Sequence, residues 1–110
     1  MANIQELSES SFETEVLGSA KPVLVDFWSP MCAPCRRIAP LLEQFAIENP
    51  ETVKVVKVNT DDNMKLAADH SIFSIPTLIL FKDGQEVDRF VGFDQSIKSR
   101  LQEAVSQISG

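Results

Sequence analysis

Only two cysteines occur in the 110 residues, and they stand three apart, as Cys32 and Cys35. A secreted scaffold stapled by disulfides would spread several cysteines along the chain, so that class is excluded and apolar packing must hold the core. Histidine is scarcer still. With His70 alone and no further cysteine, the second Cys-x-x-Cys or matching histidines that commonly complete a four-ligand zinc site are missing, although a metal-holding or inert pair stays open as an alternative. Cations are few too: ten Lys and Arg against sixteen Asp and Glu give a formal net charge of −6. Scattered singly or in pairs, they form no stripe able to neutralise phosphates, which argues against nucleic acid as a partner. No apolar run nears the roughly 20 residues of a membrane helix. Met1-Ala2-Asn3-Ile4-Gln5-Glu6 shows neither the basic end nor the apolar stretch of a secretory leader. A cytoplasmic monomer is expected, or one inside an organelle if a transit peptide has been removed. No glycine motif for a nucleotide is present, so no bound cofactor is expected.

What is present suffices for one α/β domain over residues 1–110, with 44% hydrophobic and 24% charged residues. Ser10-Ser11-Phe12-Glu13 reads as a helix start, Ser10 capping and Glu13 reaching back, with Gly18 ending about two turns. Pro22 to Trp28 is a nearly continuous apolar run, as in a strand buried on both faces, and Asp26 is its one anomaly. Ile38, Leu42, Phe45 and Ala46 recur at helical spacing up to Asn49-Pro50, so the cysteine pair opens a helix. Val53 to Val58 reads as a second buried strand, parallel to the first. A weak helix follows from Asn63 to about Asp69. Ile75 to Phe81 and Glu86 to Val91 form a hairpin about the Lys82-Asp83-Gly84-Gln85 turn, its second strand at the sheet edge and closed by Gly92. Ile97, Leu101, Ala104, Val105 and Ile108 mark a last helix, with Asp94 as its cap.

Disulfide exchange needs an accessible thiolate to attack and a second thiol close enough to resolve the mixed disulfide. Cys32-Ala33-Pro34-Cys35 supplies both. Cys32 precedes a helix whose free N–H groups and dipole favour negative charge, with Arg36 and Arg37 adding positive potential. Cys35, one turn inward, is the shielded resolving thiol, and Pro34 suits a helix start where its missing N–H is not needed. A buried Asp26 has its pKa raised unless paired, which makes it a candidate proton carrier. Strand alternation brings Lys57 to the same face as a possible partner, although lysines on strands often simply extend to solvent.

Together, Val25-Asp26-Phe27-Trp28, Cys32-Ala33-Pro34-Cys35, Ile38-Ala39-Pro40, Ile75-Pro76-Thr77 and Lys82-Asp83-Gly84 closely resemble the thioredoxin family, over nearly the whole chain. The resemblance implies a central mixed sheet of about five strands flanked by about four helices. It implies catalytic roles for Cys32 as nucleophile, Cys35 as resolving thiol, Asp26 as the acid assisting Cys35, and Lys57 as modulator. It makes Pro76 a cis-proline beside the disulfide, leaving the Ile75 backbone free for an extended substrate segment. Trp28 resembles the indole packed beside the redox turn, Pro40 the proline that kinks the following helix, and Gly92 a glycine of the substrate groove. Trp28, Met31, Ala33, Pro34, Ile75, Pro76 and Gly92 are thus the expected substrate-binding residues.

Departures from the family pattern bear on specificity. Met31 stands where tryptophan is usual, Ala33 where glycine is usual, and Phe73 where a polar residue is common, which suggests an apolar docking surface. The implied function is reduction of protein disulfides, with the Cys32–Cys35 dithiol recharged by a separate reductase of the thioredoxin-reductase type and spent on disulfide-containing target proteins. The competing readings are a same-fold oxidase or isomerase, which would usually carry histidine between the cysteines, and a non-catalytic binding module.

Overall fold

Side chains alternate between the two faces of a strand, and here that alternation sorts the core into two halves, one on each side of a five-stranded sheet. The computed structural model describes residues 4–109. Met1, Ala2 and Asn3, which entered the leader reading, lie outside the described residues. In chain order the elements are β1 (Gln5–Leu7), α1 (Glu9–Phe12) continued by a π-helical turn (Glu13–Leu17), β2 (Val23–Trp28), α2 (Ala33–Glu48), β3 (Lys54–Asn59), α3 (Met64–Asp69), β4 (Thr77–Lys82), β5 (Gln85–Val91) and α4 (Ile97–Ser109). The sheet order is β1-β3-β2-β4-β5. β3 runs parallel to both β1 and β2, whereas β4 is antiparallel to β2 and to β5. This is the mixed-sheet fold expected above.

Leu24, Val55, Leu78 and Leu80 face one way and pack under α2 and α4, through Ile38, Leu42, Phe45, Ile97 and Leu101. Val23, Val25, Phe27, Val56, Val58, Ile79 and Phe81 face the other way, under Phe12, Val16 and Leu66. Val23, Leu24, Val25 and Phe27 of β2 are wholly buried. Each contributes about 1.5–3 kcal/mol, so the central strand can bear one buried acid. By the same alternation Asp26 lies on the α2 face.

Three local readings are corrected. The first helix is capped by Ser8, not Ser10: the Ser8 carbonyl accepts from Ser11 and Phe12 N–H, and the Ser8 N–H donates to Ser11 Oγ. Glu13 therefore has no capping role. It opens the π-helical turn instead, its carbonyl accepting from the Gly18 N–H at 2.9 Å. β4 begins at Thr77 rather than Ile75, because Pro76 has no N–H for a ladder and its carbonyl takes the Gly92 N–H at 2.8 Å. β1 had no sequence signal.

The remaining turns follow their residues. Asp83 and Gly84 both have positive φ, 54° and 78°, as a tight two-residue hairpin requires. Asp94 does cap the approach to α4, its Oδ1 accepting from the Ser96 N–H at 2.8 Å.

Candidate redox site

β2 ends at Trp28 and α2 begins at Ala33, so the short connection between them projects from the end of the central strand. Cys32 is the N-cap of α2, with extended backbone, and Pro34 lies in the first helical turn. The two sulfurs are joined as a disulfide, with Cα atoms 5.2 Å apart. Cys32 is half-buried and Cys35 is only 3% exposed. The Cys35 N–H donates to Cys32 Sγ at 3.1 Å, so a free N–H of the helix start is aimed at this sulfur. On its other side Cys32 Sγ lies 3.7 Å from the Ile75 carbonyl oxygen. The Ile75–Pro76 peptide bond is cis, and Pro76 is buried.

Beneath the turn lies Asp26, 5% exposed, with one carboxylate oxygen lacking any hydrogen-bond partner. Burial pushes its carboxyl up to about 7; Lys57 acts in the opposite direction and Glu6 adds to the rise. Asp26 and Lys57 are register partners in the parallel β2–β3 pair, and side chains in register share a face. A cavity of about 90 Å³ is lined by Asp26, Trp28, Cys35, Arg36, Ala39 and Lys57. It is large enough to admit water beside the acid and the buried cysteine. Lys57 Nζ lies 5.0 Å from the centre of the Trp28 ring, so the lysine is turned into the site. A cleft of about 540 Å³ near the C-terminal end of α2 includes none of the candidate residues in its lining, and size does not locate the chemistry here.

Cys32, Cys35, Asp26, Lys57, Trp28, Ile75 and Pro76 are thus brought together. Met31 and Ala33 are exposed on the redox turn, and Pro34 is half-buried there. Gly92 joins the group through its bond to the Pro76 carbonyl. Its φ of 83° suits glycine, and a Cβ there would meet nothing within 4 Å, so it faces open space. Pro40 lies inside α2, away from the cavity lining.

Several supports escaped the sequence reading. Buried Ser29 donates from Oγ to Asp61 at 2.8 Å and accepts the Met31 N–H at 3.4 Å, and its carbonyl takes the Cys32 N–H at 3.2 Å. Arg36 Nη1 donates to the Pro30 carbonyl at 2.8 Å. Arg89 donates to the His70 and Ser71 carbonyls at 2.8 and 3.3 Å, holding the segment that leads to Ile75. Ser29 and Asp61 are separated by 32 residues, so no local pattern could have paired them.

Two sulfurs able to alternate between a bond and two thiols, set on a helix start with Cys32 half-open and Cys35 buried, define a thiol-disulfide oxidoreductase of the α/β class. Comparison with known proteins makes the assignment particular. The sequence model of the thioredoxin family matches residues 3–107. Thioredoxin 1 of Synechococcus elongatus is 54% identical over 86 residues, 78% of this chain and 80% of that protein. Thioredoxin of Mycobacterium tuberculosis is 51% identical over 87 residues, covering 79% and 75%. Thioredoxin of Pyropia yezoensis is 47% identical over 90 residues, covering 82% and 84%. The chain belongs to the thioredoxin family.

Proposed function

We propose that the protein is a dithiol reductant of disulfides in other proteins, recharged by a separate reductase in a reducing compartment such as the cytoplasm. The observation that carries this reading is the asymmetry of the two sulfurs. Cys32 Sγ is half-open and receives a helix-start N–H, while Cys35 is buried against the cavity that holds Asp26. In the reduced protein, Cys32 thiolate attacks a target disulfide, forms a mixed disulfide and releases one target thiolate. Asp26, as carboxylate, takes the Cys35 proton, directly or through cavity water. Cys35 thiolate then attacks Cys32 Sγ, releases the second target sulfur and leaves the Cys32–Cys35 disulfide. Two electrons pass to the target, and the partner reductase returns them. Lys57 tunes Asp26 by opposing the rise in its pKa. Trp28, Met31, Ala33, Pro34, Ile75, Pro76 and Gly92 frame the surface where the target lies.

Turbidimetric reduction of insulin by dithiothreitol tests the reading. The parent protein accelerates it and Cys32→Ser does not; equal acceleration by the variant would remove Cys32 as nucleophile. The standard potential is expected below about −220 mV, since thioredoxins stand near −270 mV and a strong oxidant near −120 mV. A value near the oxidant's would assign the site to disulfide formation instead.

A further inference from the structure

The two most exposed large apolar side chains among the described residues are Phe73, 92% exposed, and Met31, 88% exposed. Both stand beside the reacting sulfur. Met31 immediately precedes Cys32, and Phe73 is two residues from Ile75, whose carbonyl touches Cys32 Sγ. Two residues span at most about 7 Å, so Phe73 is held near the disulfide by chain length alone. We infer that Phe73 and Met31 act as two apolar jaws that select extended target segments bearing bulky apolar residues next to the cysteine to be reduced. This deepens, and rests on, the disulfide-reductase reading.

The mounting of these side chains supports it. On the Phe73 side, Arg89 donates to the His70 and Ser71 carbonyls, and Thr77 Oγ1 donates to the Ser74 carbonyl at 2.7 Å. On the Met31 side, Ser29 Oγ accepts the Met31 N–H and Arg36 grips the Pro30 carbonyl. Backbone fixed around an exposed apolar group is preorganised for binding, because less ordering remains to be done when a partner arrives. Charged groups on these segments are engaged elsewhere: Arg36 with Pro30, Asp61 with Ser29, and Arg37 over the Phe93 ring at 5.8 Å. The exposed apolar area beside the sulfur is supplied by Met31 and Phe73. The occupant is extended because Ile75 precedes the first residue of β4 and pairs with no neighbouring strand, leaving its backbone for an incoming one. A second copy of the chain is a poorer occupant, since it would cover the disulfide that a target must reach.

The test uses two peptides, each with one cysteine in a mixed disulfide with glutathione, flanked on both sides by leucine in one and by serine in the other. Turnover by the full chain is followed with dithiothreitol as reductant. The parent should favour the leucine peptide in kcat/KM by about tenfold or more, as apolar contacts of this size discriminate. Phe73→Ser should lose most of that preference through KM, Phe73→Leu should keep it, and Phe73→Ser with Met31→Ser should abolish it. An unchanged preference in Phe73→Ser, with both peptides still reduced, overturns the inference and leaves the reductase reading intact. Failure of the parent to reduce either peptide overturns both. A parent dimer in light scattering that Phe73→Ser converts to monomer overturns the inference by assigning the patch to self-association.

Discussion

Asp26 shows how a single buried acid can oppose the fold. Its carboxyl is raised from 3.8 to about 7, so between those values the folded protein holds a proton that the unfolded chain has released. Stability is therefore fullest below the unfolded pKa and is lost as pH rises to about 7. That difference in pKa corresponds to about 4 kcal/mol. Asp26→Asn, which keeps the shape without the charge, should stabilise the protein by up to about 4 kcal/mol at about pH 8 and by little near pH 4, read from urea midpoints at both values. The same variant should slow resolution of the mixed disulfide at Cys35 in stopped-flow. A slower reaction in a more stable protein is the signature of an acid kept for its chemistry. Equal stability at both pH values would mean that the carboxyl is already neutralised by Lys57. At this scale the sequence was informative: an acid inside an apolar strand stands out, and alternation pointed to Lys57. It was silent on Glu6, whose approach depends on the pairing of β1 with β3.

Elements are joined at places that no single element announces. His70 follows α3, and its ring packs against Phe12 of α1, Phe27 of β2 and Phe81 of β4, with centroids 5.1, 6.0 and 5.7 Å away. Burial lowers its pKa below 6.5; Asp69 and Glu86 counter this, and Arg89 adds to it. The unfolded chain then binds the proton first, so stability is lost as pH falls from about 6.5 toward the folded value, opposite to the trend from Asp26. Measured in an Asp26→Asn background to remove that trend, His70→Phe should abolish the acid-side loss seen in urea midpoints between about pH 7.5 and 5. A persisting loss would assign it to the carboxylates. Long periodic elements were readable: α2 and α4 from apolar spacing, β2 and β3 from buried runs. The three-residue β1 was not, because only Leu7 is buried in it and three residues show no period. The start of α1 was misplaced because Ser8, Ser10 and Ser11 offer similar caps, and the position of the chain leaving β1 decides among them.

Across the whole molecule a formal net charge of −6 on 110 residues gives a field that favours cationic targets. Raising salt from about 20 to 500 mM should lower kcat/KM for a peptide disulfide carrying several lysines, and change that of a neutral analogue little, since the screening length shrinks several-fold. The opposite slope would mean that Arg36 and Arg37 beside the turn outweigh the global charge. The sequence by itself determined the alternating and helical patterns that make an α/β sheet. It also determined a Cys-x-x-Cys on a helix start and a lone acid in a buried strand, because these depend on neighbours a few residues apart. Only the tertiary structure decided that Asp26, Lys57 and Cys35 share one cavity, and that Ser29 and Arg89 brace the segments bearing Met31 and Phe73. Those contacts join residues far apart in the chain, and they exist only once the sheet order has brought their strands and loops to the same end of the fold.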